Sequence, residues 1–467
     1  ADSGNNSLRR VTLQNISSSA TVSGTTVNAS LHAGTLGINS NTHYYVRWVD
    51  TNGTPLSTTQ PPISFEIADL PEVINAQATA ITDTAATVTA EVNPSFRSTT
   101  VKFEISTDST LLPPLLVNTV PGVTGKPRGI AVDQNGNRYV ADQLRHKIWK
   151  IDASSGNVTT LAGTGFAGFA DSATGQTAQF DHPSGLTIDT SGNLYVADTN
   201  NHRIRKIDAT TGAVTTIAGN GVATFLDNAD AQLGSLKQPA GIAVNSTGTM
   251  IYVADTGNHR IRLIQIGASI STVAGSGTAG LTNGTGTSAA FNEPTGVTID
   301  SNGNLFIADR KNHCIRKIEP NKAVTTFAGS AAGFLDATPP TNAKFRNPTD
   351  VTVGSSDSLY VTDAGNNRLR KIQSGAVSTV AGSGVAGNTD SSTGSLIPPD
   401  RVSFSDPSAI ALLTGSSFDT LWVTDSGNDK VRKIHRHTLP SFNAATSPLT
   451  ATDNTFHAVP TSIPFNL

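Results

Sequence analysis

The chain has 467 residues, with 32 Lys or Arg and 35 Asp or Glu, so its formal net charge is −3. This balance gives no reason to expect binding to nucleic acid or to an anionic membrane. No run of about 18 apolar residues is present, so the sequence predicts no membrane-spanning helix, and a single cysteine, Cys314, excludes an internal disulfide.

The composition and the N-terminal residue bear on where the protein is found. The first residue is Ala, the only methionine is Met250, and Ser, Thr, Asn and Gly are abundant. We therefore expect a processed chain from which a leader peptide has been removed, secreted or displayed at a cell surface. Cys314 occupies a repeat position that carries Arg in other repeats, so we interpret it as a substitution within a repeat and not as a reactive thiol.

Residues 1–114 alternate apolar and polar side chains over several short segments, as half-buried strands do. The predicted strands are residues 26–31, 44–49, 63–67, 74–81, 86–92 and 100–105. No helical periodicity is present in this part of the chain. The pattern therefore predicts antiparallel β structure arranged as a sandwich.

Two segments of this region carry a resemblance to a known family. Residues 38–52, which include the run Thr-His-Tyr-Tyr-Val-Arg, resemble the F-strand region of a fibronectin type III domain. Residues 83–109 are similar to the B and C strands of the same family in bacterial surface proteins. The resemblance implies an Ig/fibronectin III-like E-F-G half at 1–69 and an A-B-C half at 70–114, in inverted order. The halves form one permuted sandwich, or each is incomplete and leaves an open edge that invites pairing.

Residues 115–435 contain six copies of one repeat unit. Each copy has a strand that ends in Asp, and these residues are Asp142, Asp198, Asp255, Asp309, Asp363 and Asp425. A strand that follows a Pro precedes this one, a basic strand follows it, and a Val-Thr-Thr-Ile-Ala-Gly type of strand completes the unit. Four short antiparallel strands per repeat are typical of a propeller blade, whose faces are buried by neighbouring blades.

These motifs resemble the NHL-repeat family, which implies a six-bladed β-propeller. The sixth repeat lacks its fourth strand, and a matching pattern precedes the first repeat. The residues expected to close the ring as that strand are Leu116, Val117, Thr119 and Val120. The predicted fold class is all-β: a six-bladed NHL-type propeller with an N-terminal Ig/fibronectin III-like sandwich region, followed by a tail at 436–467.

The polar residues that recur in every repeat are interpreted as structural. A carboxylate that caps loop N–H groups explains the repeat Asp better than a ring of metal ligands. A second recurring position holds His146, His202, His259, His313 and Asn367. Some six-bladed relatives that act as amidating lyases place metal-binding His residues near the axis, but here the His residues follow the loop pattern. We expect them to form structural hydrogen bonds.

Charged residues in the third strands and long loops have their own interpretations. The pairs Arg205-Lys206, Arg316-Lys317, Arg370-Lys371 and Arg432-Lys433 are interpreted as solvated strand faces, and without interleaved aromatic residues they predict no nucleic-acid binding. The oxygen-bearing residues that head the loops are Asp171, Asp227, Asn283, Asp336 and Asp390. We expect no cofactor; calcium is the one ion these loops could hold.

No Ser/His/Asp arrangement, phosphate-binding loop or paired carboxylate stands out. We therefore expect a non-catalytic extracellular structural or interaction protein that self-assembles head-to-tail into filaments by strand exchange through its N-terminal sandwich or its C-terminal tail, or that binds another protein or a glycan. The candidate assembly strand in the tail contains Phe456, Val459, Ile463, Phe465 and Leu467. A metal-dependent lyase or hydrolase at the propeller axis is the remaining alternative, because propellers host many functions.

Overall fold

The computed structural model describes residues 116–391, 401–413 and 419–435 in full, the backbone of residues 115 and 436, and the backbone of six earlier strands. The chain divides into two compact units. One is 115–436, and the other combines 1–114 with 437–467. Within the described residues, no helix has the length and apolar character needed to cross a membrane.

The N-terminal unit contains two antiparallel sheets. The strands are β1 Thr21–Ser23, β2 Thr26–His32, β3 Tyr45–Val49, β4 Glu72–Thr79, β5 Ala85–Asn93 and β6 Lys102–Ser106. One sheet has the order β1-β2-β5-β4, and the other pairs β3 with β6. Each sheet therefore combines strands from both of the predicted halves. The strand predicted at 63–67 and the tail residues Phe456 to Leu467 lie outside the described residues.

The 115–436 unit consists of six four-stranded antiparallel blades, and the fourth carries a short additional strand. The strands of the first three blades are β8 Pro127–Val132, β9 Arg138–Asp142, β10 Lys147–Ile151 and β11 Val158–Ala162; β12 Pro183–Ile188, β13 Leu194–Asp198, β14 Arg203–Ile207 and β15 Val214–Ala218; and β16 Pro239–Val244, β17 Met250–Asp255, β18 Arg260–Gln265 and β19 Ile270–Ala274.

The remaining blades follow the same plan. Their strands are β20 Gly284–Thr285, β21 Pro294–Ile299, β22 Leu305–Asp309, β23 Cys314–Ile318 and β24 Ala323–Ala328; β25 Pro348–Val353, β26 Leu359–Asp363, β27 Arg368–Gln373 and β28 Ala376–Ala381; and β29 Pro407–Leu413, β30 Thr420–Asp425 and β31 Lys430–Arg436, with β7 Leu115–Val120. The first strands of the blades contact one another in the cyclic order β8, β12, β16, β21, β25, β29 and back to β8. The unit is therefore a closed six-bladed β-propeller.

Closure of the ring uses the two ends of this unit. Strand β7 pairs antiparallel with β31, with Val117 opposite Ile434 and Val120 opposite Val431. Leu116 and Val117 are buried, and Thr119 lies between them and Val120 on the same strand. The sixth blade thus takes three strands from the C-terminal end of the propeller and one from its N-terminal end.

The core lies between the blades. Each hydrophobic cluster joins two neighbouring blades, as where Ala141 and Ile148 of the first blade pack with Leu186 and Val196 of the second. Burial on both faces explains why the second strands are nearly continuous apolar runs. A blade of this kind is stable only with neighbours on both sides.

We expect Val117→Ala to lower the free energy of unfolding of the full chain by roughly 1–3 kcal/mol, because it removes buried methyl groups from the closing strand. The matched control is Val214→Ala, which makes the same change in the outer strand of the second blade, where Val214 is equally buried. Chemical denaturation followed by circular dichroism measures both. Loss of stability in the control with no change in Val117→Ala would contradict closure by β7.

Candidate functional site

Five blades bury one arginine completely in the third strand. These residues are Arg205, Arg262, Arg316, Arg370 and Arg432. The interpretation of the Arg-Lys pairs as solvated strand faces was therefore wrong for the arginines. Lys206, the neighbour of Arg205, is only partly buried. The two side chains of such a pair point to opposite sides of the strand, and both sides of a blade are covered.

The guanidinium of Arg205 connects a strand to a loop. Its Nη1 donates to Oδ2 of Asp198 at 2.7 Å, and its Nη2 donates to Oδ1 of Asp171 at 2.5 Å. The same two nitrogens donate to the backbone carbonyls of Gln179 and Ala170. The long loop before the second blade is therefore fixed at two points along its length.

The same arrangement recurs in the other four blades. The Arg-to-Asp pairs of the strands are Arg262–Asp255 at 2.8 Å, Arg316–Asp309 at 3.2 Å, Arg370–Asp363 at 2.8 Å and Arg432–Asp425 at 2.8 Å. The loop partners are Asp227, Asn283, Asp336 and Asp390. Each guanidinium is thus bonded to a strand residue and to a loop residue.

Two aromatic rings lie near the guanidinium of Arg205, an outer one that is exposed and an inner one that is buried. Phe169 lies 4.9 Å from it and Phe180 lies 5.2 Å from it, measured to the ring centroids. Phe169 also lies 3.9 Å below the guanidinium of Arg203. The equivalent outer rings are Phe225 and Phe334, and the equivalent inner rings are Phe291, Phe345 and Phe404. Stacking of this kind suits a weakly hydrated guanidinium.

The repeat Asp residues accept hydrogen bonds from a loop as well as from the arginine. Oδ1 of Asp198 accepts the backbone N–H of Asp181 at 2.8 Å, and Oδ2 accepts Nδ2 of Asn201 at 2.9 Å. Burial raises the pKa of Asp198 to about 6, and the bonds from Asp181 and Arg205 act in the opposite direction. In the first blade Trp149 replaces the arginine, and its indole N–H donates to Asp142 at 3.1 Å.

The sequence contains a signal for this cluster that interpretation of single residues does not reveal. An Asp, an Asn three residues later and an Arg seven residues after the Asp recur in five repeats, as in Asp198, Asn201 and Arg205. The spacing brings all three together because the Asn belongs to the short 3₁₀ turn between the second and third strands. A fixed spacing of three polar residue types indicates a shared site better than each residue alone.

The loop residues that could have held calcium accept other partners. Oδ1 of Asp171 accepts from Arg205, and its Oδ2 accepts the backbone N–H of Thr216 in the outer strand at 3.0 Å. Asp336 makes the same pair of contacts with Arg370 and with the N–H of Thr379. These carboxylates therefore join the loop, the third strand and the fourth strand of one blade.

The recurring His residues connect neighbouring blades. The ring Nδ1 atoms of His146, His202, His259 and His313 each accept a backbone N–H from the next blade at 3.1 Å, and Oδ1 of Asn367 does the same. His202 itself adopts a left-handed backbone conformation. Because Nδ1 accepts, the neutral ring carries its proton on Nε2. Burial lowers the pKa of His202.

One junction between blades differs from the others. His146, Asp181 and His182 bring three potential metal-ligand atoms within 4.8 Å of one another, the one such group among the described residues. However, Nδ1 of His146 accepts the backbone N–H of His182, and Nδ1 of His182 lies 2.5 Å from Oδ1 of Asp181. Both Nδ1 atoms of this group are therefore already engaged in contacts within the protein.

Cys314 is buried and lies opposite Asp309 in the antiparallel register. Burial raises the pKa of its thiol well above the ordinary value, and the nearby Asp309 carboxylate acts in the same direction. A thiol with a raised pKa is a poor nucleophile.

An axial channel of about 750 Å³ passes between the first strands of the six blades. Small residues line much of it, including Gly129, Gly185, Gly241 and Ala409. Asp350 lines the channel at the equivalent position of the fifth blade. Of the recurring His residues only His259 lines the channel, and each of the four accepts a backbone N–H from the neighbouring blade.

The loops at one end of the blades carry exposed apolar side chains. In an antiparallel blade the turn between the second and third strands and the connection leaving the fourth strand lie at the same end, and we call this end the loop face. Its exposed apolar residues are Leu144, Phe166, Phe169, Val222, Phe225, Leu226, Leu233, Leu281, Phe334, Leu335 and Val385. Phe166 is 75% exposed and Leu144 is 64% exposed.

Comparison with known proteins supports the repeat assignment. The family model described as NHL repeat matches residues 180–207, 236–262, 291–318 and 345–372. The chain is 32% identical over 197 residues to Protein SUPPRESSOR OF QUENCHING 1, chloroplastic, from Arabidopsis thaliana, which covers 40% of this chain and 19% of that protein. It is 29% identical over 278 residues to NHL repeat-containing protein 2 from Homo sapiens, which covers 52% and 38%.

A solved structure is similar over most of the chain. This protein of unknown function from Bacteroides thetaiotaomicron VPI-5482 aligns with a TM-score of 0.53 and 17% identity, over 92% of this chain and 98% of that one. At this identity the similarity concerns the fold alone. The chain spans well under half the length of the two curated relatives, so their sequences are matched only in part.

We expect Arg205→Met to destabilise the protein by about 3–5 kcal/mol, because it leaves Asp198 buried without its cation. The matched control is Lys206→Met on the same strand, whose ammonium is partly exposed and pairs with Asp208; this change should cost about 1 kcal/mol or less. Urea denaturation of the full chain compares them. Equal effects of the two substitutions would mean that the buried ion pair has no special role.

We expect His202→Leu to cost roughly 1–3 kcal/mol, because the N–H of Gln238 loses its acceptor. His202→Asn should retain most of the stability, since Asn367 accepts the equivalent N–H. Because the pKa of His202 is lowered in the folded protein, the stability that the neutral ring contributes is fully present above the unfolded-state pKa of about 6.5. This stability is lost as the pH falls below that value.

The wild-type protein should therefore lose more stability than His202→Asn between about pH 8 and about pH 5. Denaturation of both proteins at the two pH values measures this difference. An Asn variant as unstable as the Leu variant would rule out the acceptor role of Nδ1.

Proposed function

We propose that this six-bladed NHL-repeat propeller is a non-catalytic interaction protein, secreted or displayed at a cell surface, that binds a protein partner through its loop face. The observation that carries the proposal is the set of exposed apolar side chains on that face, with Phe166 and Leu144 the two most exposed in the first two blades. Large apolar side chains that remain in contact with water are favourable sites for burial by a partner.

The loops that present these side chains are held in place. In the loop before the second blade, Arg205 bonds to the carbonyls of Ala170 and Gln179, and Asn201 donates to the carbonyl of Gly168 at 2.7 Å. A loop fixed at three points loses little conformational freedom when it binds. Rigid presentation therefore supports binding by preformed contacts.

Leu144 and Phe166 belong to neighbouring parts of the loop face. Gly165, which precedes Phe166, lies so close to the turn of the first blade that a Cβ there would come within 3.7 Å of the carbonyl of Arg145. Leu144 directly precedes Arg145, and Phe166 directly follows Gly165. The two exposed residues are therefore each adjacent in sequence to one of two residues that are nearly in contact. A pair of large apolar groups at the junction of two blades suits the centre of a protein interface.

A non-catalytic role is supported by the use that the repeat makes of its polar residues. The repeat Asp, Asn and Arg residues bond to one another, and the His residues bond to the next blade. Catalytic side chains must be free to contact a substrate in a defined geometry. The lyase or hydrolase alternative would have to use residues outside these repeated clusters.

Self-assembly is one form that this binding could take. The proposal of fibronectin III-like halves fits the pairing of β2 with β5 and of β3 with β6, since each sheet draws on both halves. The tail residues proposed as an exchanged strand lie outside the described part of the chain. The loop face therefore carries the proposal, and its occupant is another extracellular protein, a second copy of this chain or a glycan-bearing partner.

We expect a photo-crosslinking residue placed at Phe166 in the producing cells to form one defined adduct with a protein, identified by mass spectrometry. The control places the same residue at Thr211, on the turn at the opposite end of the second blade, where no adduct should form. With the partner purified, Phe166→Ser and Leu144→Ser should each weaken binding by about tenfold or more.

The outcome of this experiment separates the alternatives. An adduct with a second copy of the chain selects self-assembly, and one with a different protein selects a heterologous interaction. Equal labelling at both positions, or unchanged affinity in both Ser variants, would contradict a role for the loop face. Metal analysis of the purified protein addresses the lyase alternative, which requires a bound ion.

A further inference from the structure

The first strands of the blades have a fixed residue pattern where they enter the axial channel. Blades one to four begin with Pro, one variable residue and Gly, ending at Gly129, Gly185, Gly241 and Gly296. These glycines are needed because a Cβ at Gly185 would come within 2.1 Å of the carbonyl oxygen of Ala240 in the next blade. The fifth blade places Asp350 at this position, and the sixth places Ala409.

The backbone around Asp350 is adapted to the larger side chain. In the fifth and sixth blades the second strand has Thr362 and Thr424 where the others have Ala. Oγ1 of Thr362 accepts the N–H of Asp350 at 2.9 Å, and Oγ1 of Thr424 accepts that of Ala409 at 2.8 Å. The two hydroxyls are fully buried. The backbone of Asp350 therefore has a supporting hydroxyl that the first four blades lack.

The carboxyl of Asp350 lies within the channel wall. Its Oδ1 accepts the N–H of Val351 at 2.9 Å, and its Oδ2 accepts the N–H of Ile410 at 3.0 Å. Asp350 is partly exposed, and that exposure is to the channel. Removal from bulk water raises the pKa of Asp350 to about 7, and the two N–H bonds oppose this rise.

Asp350 has no cation of its own within the part of the chain that the structure describes. The other ionisable residues that line the channel are Arg128, Lys237, His259, Glu293 and Arg310. Arg128 pairs with Asp406 and Arg310 pairs with Glu293, each at 3.1 Å. Nδ1 of His259 accepts a backbone N–H. The repeat Asp residues of five blades have an arginine, whereas this carboxylate has none.

We propose that the axial channel binds an organic primary ammonium group at Asp350. Each carboxylate oxygen has already accepted one N–H and retains a lone pair. An ammonium offers three donors, of which one can pair with Asp350 while the others bond to hydroxyls such as those of Thr298 and Thr352, which also line the channel. A divalent metal would need several more anionic oxygens than this wall supplies.

The competing account is that Asp350 only ties the fifth blade to the sixth through Ile410. That role needs an acceptor but no negative charge. Asp350→Asn keeps an acceptor oxygen and removes the charge, so it separates the two accounts. Asp350→Gly introduces the residue that four other blades have at this position. It is the variant to test if Asp350→Asn does not fold.

The test is isothermal titration calorimetry on the full chain with n-butylammonium chloride, and with n-butanol as a neutral probe of the same length. The wild-type protein should bind the ammonium saturably and the alcohol not at all. Affinity should fall by about tenfold or more in Asp350→Asn, or in Asp350→Gly, and change by less than about twofold in Glu293→Gln at the channel mouth.

A second readout reports where the ligand binds. Titrations at about pH 6.5 in two buffers of different ionisation enthalpy should reveal proton release from the wild-type protein and none from the variants, because a cation favours the ionised carboxyl. No saturable binding, or equal affinity in wild type and the Asp350 variants, would overturn the proposal.

Discussion

The long loops of blades two to six are fastened by a guanidinium that water does not reach. Moving such an ion out of water costs several kcal/mol, and the cost is offset only when anions and carbonyls surround it closely. Arg205 has Asp198, Asp171 and two backbone carbonyls within hydrogen-bond distance. The cluster therefore works as a unit, since loss of Arg205 leaves Asp198 buried without a cation.

The buried guanidinium of Arg205 contacts both the surface and the interior of the propeller. The ring of Phe169 stacks on the outer side of Arg203 and Arg205, and the ring of Phe180 stacks on the inner side of Arg205. Phe180 is fully buried, whereas Phe169 remains 45% exposed. The guanidinium thus links the core to a side chain of the loop face. An apolar surface held this way is preformed, which distinguishes it from a loop that collapses when no partner is present.

The sequence was sufficient to predict the propeller, because each residue of a repeat can be compared with its equivalents in five other copies. The number of strands per blade and the missing fourth strand of the last repeat both follow from counting. The burial of Arg205 could not be predicted in this way. Alternation of apolar and polar residues distinguishes a buried face of a sheet from an exposed one only when one face is open to water. In a blade both faces are covered, and Arg205 and Lys206 differ in their environment without differing in pattern. Their spacing from Asp198 held the missing information.

Asp350 could not be recognised as part of a site from the sequence for a related reason. Its position is identified only by aligning the first strands, and its setting depends on the channel that those strands enclose. A substitution at one copy of a repeat does not by itself indicate a site, and Cys314 is a substitution of this kind. Asp350 differs because Thr362 changed with it, and the same pair of changes appears as Ala409 with Thr424 in the next blade. Each threonine accepts the N–H of the residue that stands in place of glycine. Two adjacent blades therefore share the same departure from the repeat pattern, and the hydrogen bond from Ile410 to Asp350 joins them beside the axis.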